Sequence, residues 1–368
     1  MDNLNIDNET IKILEEYGFN SIPFSDLQKE IRDNGFNPSK GKSKSAIKPL
    51  SSDLMTEYPE NENETKKAFE AAGKKAIENG EVAVVILNGG MATRFGGVPK
   101  GAVEIVNGRT FLDYKISQAK KAGNGKSPVI LMNSFATMDA TRKHINELNP
   151  DIEILDFHQF ISLRMTDNGD VFKTDEGAPS LYAPGHGDFP FALKESKILE
   201  KLKNLGIKYI TLSNVDNLGA GLDPVVIGMH ILNKKPMSVE LVKTYPGDVG
   251  GFPAIENDKD VIMEAFRLPE SFDKDSIEVF NTNTFVFNIE TLDMAPELTW
   301  FMVKKNVGGK SAIQWERLVG QLTQFVEVSW LVVPREGENS RFIPIKTVED
   351  IDINQDILKA VLKKQQIL

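Results

Sequence analysis

A glycine-rich stretch flanked by two cations is the first feature of this sequence that could do chemistry. Residues 82–101 read VAVVILNGGMATRFGGVPKG, in which six apolar residues run into five glycines with Arg94 and Lys100 beside them. Glycines after a buried strand let a ligand approach the backbone and its N–H groups. Exposed N–H groups together with two cations suit a polyphosphate. The alternative is a tight turn in which glycine only relieves strain.

The spacing of this loop excludes the two common phosphate-binding patterns. A P-loop needs Gly-Lys-Ser/Thr at the start of a helix, whereas Pro99 precedes Lys100 here. A dinucleotide fingerprint needs G-x-G-x-x-G, which NGGMATRFGG does not contain. The sequence therefore favours a long glycine loop that binds phosphates in a different way.

Polar residues also follow other segments that read as strands. Gln159 ends the segment FHQ, and its amide offers both a donor and an acceptor to a ligand. Asp216 in LSNVDN could hold Mg²⁺, although an Asx turn would explain the same residues. Ligands collect at the carboxyl ends of parallel strands. We therefore expect NGG, NSF, HQF and SNVDN to form one site.

Alternating helix and strand patterns would position these loops. From residue 66 onward the alternation predicts an α/β fold with a mainly parallel sheet covered by helices. Residues 1–36 predict two short helices, residues 37–65 a polar linker, and residues 193–206 and 311–325 one helix each. We divide the chain into an N-terminal helical extension and linker (1–65), a catalytic domain (66–351) and a short C-terminal helix (352–368).

Composition limits the classes of function. The 368 residues include no cysteine, which excludes disulfides, thiolate metal sites and a cysteine nucleophile. A net charge of −10 argues against a nucleic-acid partner. The sequence shows no apolar run of membrane-spanning length, and its first residues are too acidic for a signal peptide. We predict a cytoplasmic protein.

The glycine loop resembles the signature loop of sugar-1-phosphate nucleotidyltransferases, and further motifs make the sequence similar to the UDP-glucose pyrophosphorylase family. These motifs follow the family's order over residues 82–351 and read LMNSFATMDAT, FHQFISLRM, YAPGHGDFPFAL, YITLSNVDNLG, ELVKTYPGDVGG, VFNTNTFVFNI and PREGENSRFIPIKTVEDI. The resemblance implies a Rossmann-like nucleotidyltransferase core, with a mixed, mostly parallel sheet flanked by helices and a helical N-terminal extension.

The resemblance also implies roles for individual residues. The residues expected around the nucleotide are Gly89, Gly90, Thr93, Gln159, Gly185 and Asn214. The residues expected to act in catalysis are Lys100, Lys346 and Arg94. The residues expected on the sugar are His186, Gly251, Glu264, Asn281 and Asn283. Asp216 is expected to bind Mg²⁺, and the roles of Lys243 and Asp188 stay open.

The implied activity is uridylyl transfer from UTP to a sugar 1-phosphate. Glucose 1-phosphate is the first choice, and galactose or N-acetylhexosamine 1-phosphates remain open. The second pKa of a phosphate monoester is about 6, so the nucleophile is already an anion and needs no general base. The alternatives are a glycosyltransferase that uses UDP-sugars and a non-catalytic regulator that binds UTP or a UDP-sugar. The sequence shows no C-terminal β-helix domain of the eukaryotic UDP-glucose branch, so we expect a monomer.

Overall fold

This computed structural model describes residues 6–92, 97–248, 250–294 and 296–368. Its α-helices are α1 (Asn8–Glu16), α2 (Ser21–Asn34), α3 (Glu64–Glu78), α4 (Phe111–Ala122), α5 (Met138–Leu148), α6 (Phe189–Glu195), α7 (Ile198–Asn204), α8 (Pro224–Asn233) and α9 (Val348–Lys364). Its strands are β1 (Ile47–Pro49), β2 (Met55–Glu57), β3 (Val82–Leu87), β4 (Met91–Ala92), β5 (Val98–Pro99), β6 (Glu104–Val106), β7 (Arg109–Thr110), β8 (Val129–Asn133), β9 (Ile154–His158), β10 (Ser162–Leu163), β11 (Leu181–Tyr182), β12 (Tyr209–Asn214), β13 (Met237–Lys243), β14 (Phe252–Glu256), β15 (Lys259–Met263), β16 (Val279–Asn288), β17 (Phe301–Val307), β18 (Lys310–Glu316) and β19 (Val328–Val332).

An eight-stranded mixed sheet forms the centre of the fold. Its strand order is β2-β19-β13-β16-β12-β3-β8-β9. β16 runs antiparallel to both of its neighbours, and every other pair in the sheet is parallel. This confirms the predicted α/β architecture with a mostly parallel sheet.

β3 shows why an uninterrupted apolar run lies in the middle of this sheet. Val82, Val84 and Ile86 pack into a core cluster with residues of α3, α4, α8 and α9, whereas Ala83 and Val85 pack into a second cluster with residues of α6 and α7. A strand that is covered by helices on both faces needs apolar side chains on both faces. β3 therefore ends inside the molecule, and the loop that follows it starts from a rigid support.

α3 and α8 cross at two glycines. A Cβ atom at Gly73 would lie 1.8 Å from the carbonyl oxygen of Pro224, and one at Gly228 would lie 1.7 Å from that of Phe69. Real Cβ atoms do not approach carbonyl oxygens so closely. The two helices therefore pack backbone against backbone, which holds α8 directly under the sheet.

The N-terminal residues pack against the rest of the chain. Leu14 of α1 and Ile31 of α2 join a third core cluster that also contains Trp315 of β18. Within residues 37–65, β1 pairs with β14 and β2 pairs with β19 at the edge of the main sheet. The predicted domain boundaries at residues 65 and 351 stay predictions.

The helix predicted over residues 311–325 is wrong. Residues 310–316 form β18, which pairs along its whole length with β17, and Val319–Gln324 is a 3₁₀ helix. The two strands are joined by Gly308 and Gly309, both with positive φ, which is the two-residue turn typical of a β-hairpin. The helix predicted over residues 193–206 is divided into α6 and α7, because Lys197 adopts φ 66°.

Candidate active site

A cavity of about 680 Å³ opens at the carboxyl ends of β3, β8, β9 and β12. The strand ends contribute several of its lining residues, namely Gly89 and Gly90 after β3, Ser134 and Phe135 after β8, Gln159 after β9, and Asn214 and Asp216 at and after the end of β12. The four predicted segments therefore do form one site. Lys100, Gly185 and His186 line the same cavity.

The side chain of Gln159 lies directly against the backbone of Gly89. A Cβ atom at position 89 would lie 2.1 Å from Gln159 Nε2. The surrounding backbone is fixed, because Gln159 N donates to the carbonyl of Asn133 at 2.9 Å and Ser134 Oγ donates to the carbonyl of Gly89 at 2.8 Å. Any larger residue at position 89 would have to displace the Gln159 amide from its place at the border of the cavity.

Lys100 and Asp216 form an ion pair on the cavity wall. The backbone N–H of Lys100 donates to the carbonyl of Gly90 at 3.1 Å, which ties the lysine to the glycine loop. Its ammonium group donates to Asp216 Oδ2, and the two side chains are only 19% and 14% exposed. A half-buried pair is screened less than a surface pair. An anionic ligand in this cavity would therefore meet a fixed cation beside a carboxylate that can bind a cation.

The Asp216 carboxylate fits a magnesium ion that is held mainly by ligand oxygens. Mg²⁺ is usually bound through one or two carboxylates together with substrate phosphates and waters. Asp216 already attracts a cation, the Lys100 ammonium, at this place. Across the described parts of the chain, no group of three His, Cys, Asp or Glu side chains is arranged to hold a metal. In such a site Asp216 would hold the ion together with phosphate oxygens and waters.

His186 borders the cavity as a neutral hydrogen-bonding group. The N–H of Val319 donates to His186 Nδ1 at 3.1 Å, so the proton of the neutral ring is on Nε2. Burial lowers the pKa of His186 to about 4, so the ring is neutral at pH 7. The preceding Gly185 has φ 106°, and a Cβ atom there would lie 2.8 Å from the carbonyl oxygen of Arg317. This turn requires glycine and fixes the ring's position.

Asp188 and Lys243 do not line the cavity. Asp188 is completely buried, pairs with the guanidinium of Arg317 and accepts a hydrogen bond from Phe160 N at 3.0 Å. It therefore supports the loop that carries His186. Lys243 has an exposed side chain at the end of β13, and its carbonyl accepts from Arg335 Nη1 at 2.6 Å.

The residues predicted for the sugar form a chain of contacts that starts at the cavity. Asn283 Nδ2 donates to Asn214 Oδ1 at 2.9 Å, and Asn283 N donates to Asn281 Oδ1 at 2.9 Å. Asn281 N donates to the carbonyl of Gly251 at 2.7 Å. A Cβ atom at Gly251 would lie 2.9 Å from Glu264 Oε1. Five predicted residues therefore follow one another from the cavity edge outward.

Two details of this chain of contacts differ from a regular strand. Asn283 has φ 57°, and the β13–β16 register shifts beside it, so the alternation expected for Asn281 and Asn283 is interrupted. Burial raises the pKa of Glu264 to about 7, against the opposing charge of Arg267. Glu264 therefore carries a proton over a range of pH in which ordinary glutamates have lost it.

Lys346 lies beside the cavity rather than on its wall. Its side chain is exposed, and its backbone N–H donates to Asp350 Oδ2 at 2.7 Å. The preceding residue, Ile345, donates from its N–H to the carbonyl of Asp216 at 3.2 Å. The backbone contact with Asp216 is therefore made by the residue that precedes Lys346 in the sequence. Thr93 and Arg94 lie outside the described residues.

Three polar side chains that line the cavity, those of Arg164, Tyr182 and Gln314, are not among the residues predicted for the site. Arg164 Nε donates to Gln314 Oε1 at 2.9 Å, and its guanidinium lies 5.4 Å from the centre of the Tyr182 ring. Arg164 stands only five residues after Gln159, within the motif FHQFISLRM. The helix predicted over residues 311–325 did not place Gln314 at the site. The two glycines before this segment, Gly308 and Gly309, are the sequence feature that indicates a hairpin instead.

The sequence and the fold are similar to those of known proteins. The profile of a family described as UTP–glucose-1-phosphate uridylyltransferase matches residues 28–365. The UTP–glucose-1-phosphate uridylyltransferase 2 of Dictyostelium discoideum is 32% identical over 338 residues, which cover 86% of this chain and 65% of that protein. This chain thus spans less than two thirds of that relative's length.

Two crystal structures from Trypanosoma brucei have the same fold. One is described as UDP-glucose phosphorylase, with a TM-score of 0.74 and 24% identity, and the match covers 93% of this chain and 76% of that one. The other is a uridine diphosphate N-acetylglucosamine pyrophosphorylase in complex with an inhibitor, with a TM-score of 0.74 and 19% identity over 93% of this chain and 81% of that one. At these identities the likeness concerns the fold.

Proposed function

This chain belongs to the UTP–glucose-1-phosphate uridylyltransferase family, and we propose that it joins UTP to a sugar 1-phosphate to give a UDP-sugar and pyrophosphate. Glucose 1-phosphate is the proposed sugar substrate, as in the name of the Dictyostelium relative. The observation that carries the proposal is the single cavity in which an amide suited to a uracil edge, Gln159, and a cation–carboxylate pair, Lys100 and Asp216, come together.

The proposed reaction is a direct displacement. An oxygen of the sugar phosphate forms a bond to the α-phosphorus of UTP, and the bond from that phosphorus to the pyrophosphate oxygen breaks. The nucleophile is already ionised at neutral pH, so no side chain has to remove a proton. The main barrier is the repulsion between two polyanions, because unit charges 4 Å apart interact by about 4 kcal/mol at an effective dielectric constant near 20.

Residues of the cavity can lower this electrostatic barrier by supplying positive charge and by holding the two substrates in position. Lys100 offsets negative charge at the phosphates, with Lys346 proposed as a second cation that approaches from the segment next to Asp216. Asp216 would hold Mg²⁺, which supplies Lewis-acid stabilisation of phosphate oxygens when it is bound. Gly89 and Gln159 would hold the base, and His186 would donate a hydrogen bond from Nε2 to the ligand in the cavity.

Asn283 and the residues that follow it are proposed to bind the sugar. Asn283 and Asn281 link Asn214 to Gly251 by successive hydrogen bonds, so hydroxyl-binding groups lie next to the nucleotide end of the cavity. A protonated Glu264 can donate a hydrogen bond to a hydroxyl, and an ionised one can accept.

A panel of sugar 1-phosphates with UTP and Mg²⁺, scored by pyrophosphate release, tests this proposal. We expect pyrophosphate and UDP-glucose in equal amounts from glucose 1-phosphate, and less product from galactose and N-acetylhexosamine 1-phosphates. UTP binding without turnover on any member of the panel would indicate a regulator instead. Transfer from a UDP-sugar to an added acceptor, without pyrophosphate release, would indicate a glycosyltransferase.

Location and assembly remain proposals as well. Among the described residues, the structure contains no helix that is both long and apolar enough to cross a membrane. We propose a cytoplasmic location for the protein. We also infer a monomer, which light scattering of the purified protein would test.

A further inference from the structure

A buried lysine lies under the loop that carries Asp216. Lys115 is in the middle of α4, and only 3% of it is exposed. Its ammonium group donates three hydrogen bonds, to Ser213 Oγ at 2.8 Å, to the carbonyl of Asn217 at 3.1 Å and to the carbonyl of Ala220 at 2.7 Å. All three protons of the ammonium group are therefore used on one short segment of the chain.

The three acceptors belong to residues that flank Asn214 and Asp216 in the sequence, and these two residues face the cavity. Ser213 immediately precedes Asn214, and Asn217 immediately follows Asp216. A second side chain of α4 supports the same segment, because Gln118 Nε2 donates to the carbonyl of Leu218 at 2.7 Å. One face of α4 thus holds residues 213–220 from below while Asn214 and Asp216 line the cavity.

The lysine is an unusual choice for this place. Its three hydrogen-bond acceptors are neutral, and removing an ammonium group from water is costly unless it is paired with a negative charge. Burial and, to a smaller extent, the nearby charge of Arg341 lower the pKa of Lys115 to about 7, although the charges of Glu240 and Asp216 act in the opposite direction. An apolar residue on this helix face would avoid the cost of a buried charge, but the hydroxyl of Ser213 and the carbonyls of Asn217 and Ala220 would then lose this donor. The lysine therefore serves residues 213–220 rather than the packing of the core.

We propose that Lys115 is a positioning residue for uridylyl transfer, which holds residues 213–220 so that Asn214 and Asp216 face the bound nucleotide. The inference rests on the proposed function of the cavity. Residues that orient a binding group from behind typically change affinity or activity by 10- to 100-fold when they are replaced. Lys115 does not border the cavity, so it acts only through the loop and through its charge.

Replacement of Lys115 by methionine tests this role. Lys115→Met keeps an unbranched side chain as far as the ε position but removes the ammonium group and its three donors. We expect UTP to bind at least 10-fold more weakly by isothermal titration calorimetry, with and without Mg²⁺, and kcat to fall by 10- to 100-fold. The KM for the sugar phosphate should change by less than threefold, since the loop is on the nucleotide side.

The control is Ile116→Ala on the same helix, which removes buried apolar atoms from the neighbouring core. It should lower the melting temperature but leave UTP affinity and kcat within twofold of the wild type. An equal change in both variants would mean that Lys115 only stabilises the fold, and would overturn the proposal. So would a Lys115→Met protein with wild-type UTP affinity.

A smaller change covers the case in which Lys115→Met does not fold. Ser213→Ala removes one of the three acceptors and leaves the lysine in place, and we expect UTP affinity to fall at least threefold; an unchanged affinity would overturn the proposal. The calorimetric measurement does not depend on turnover. Wild-type protein that binds UTP but releases no pyrophosphate would therefore refute the proposed function, while the Lys115 comparison could still be read.

Discussion

Substitution of Gly89 by alanine should damage nucleotide recognition through a single clash. The new Cβ atom would lie 2.1 Å from Gln159 Nε2, whereas ordinary contacts begin at 3.4 Å, so the amide must retreat by about 1.3 Å. A misplacement of about 1 Å in a reacting complex lowers the rate on the order of 100-fold. We therefore expect kcat/KM for UTP to fall about 100-fold, and the preference for UTP over CTP to shrink with it.

The double variant Gly89→Ala/Gln159→Ala shows whether the clash is the cause. Removing the amide of Gln159 removes the atom that the new methyl group meets, so the double variant should behave like Gln159→Ala alone. The assay is initial-rate kinetics with UTP and CTP at saturating glucose 1-phosphate. A Gly89→Ala enzyme within threefold of wild type, or losses that multiply in the double variant, would show that the contact between residues 89 and 159 does not control nucleotide recognition.

Three further predictions follow from the same structure. Lys100→Ala should lower kcat about 100-fold without unfolding the protein, because about 2.7 kcal/mol, roughly two thirds of a Coulomb term of about 4 kcal/mol, is lost with the cation. An enzyme within fivefold of wild type would exclude this role, and Lys346→Ala measured beside it should also lower kcat. The pKa of Glu264 is raised from an ordinary 4.5 to about 7 in the folded protein, so the folded state binds more protons than the unfolded state between these pH values. The free energy of unfolding should therefore fall as the pH rises, by up to about 1.4 kcal/mol per pH unit. Urea unfolding at pH 5, 6 and 7 should show this slope in the wild type and lose it in Glu264→Gln, whereas an unchanged slope in the variant would contradict the assignment. Gly228→Ala should destabilise the protein by about 2–4 kcal/mol in urea, because its Cβ would lie 1.7 Å from the carbonyl of Phe69; a wild-type unfolding midpoint would show that α3 and α8 separate easily.

The part of the site that lies at strand ends could be predicted from the sequence. Gly89, Gln159 and Asp216 each follow a recognisable strand, and parallel strands bring such ends together whatever the details of packing. The predictions for the central sheet succeeded for the same reason, since β3 is apolar on both faces. Local pattern and overall fold agree in this region of the chain.

Other parts of the site depend on contacts between residues that are far apart in the sequence, which a local sequence pattern does not predict. Lys115 reads as a polar position on an amphipathic helix, and only the fold shows that residues 213–220 cover it. Gln314 stands in a segment with helical spacing, but pairing with β17 makes it a strand. In both cases a tertiary partner far away in the sequence decides the outcome, and its identity cannot be read from neighbouring residues.

A crystal structure of the protein with bound UTP and Mg²⁺ would test most directly whether this cavity is the nucleotide site. We predict nucleotide density in the cavity at the carboxyl ends of β3, β8, β9 and β12, with the uracil edge on the Gln159 amide and the phosphates near Lys100 and Asp216. Density for the base on another surface, or phosphates away from both Lys100 and Asp216, would contradict the account.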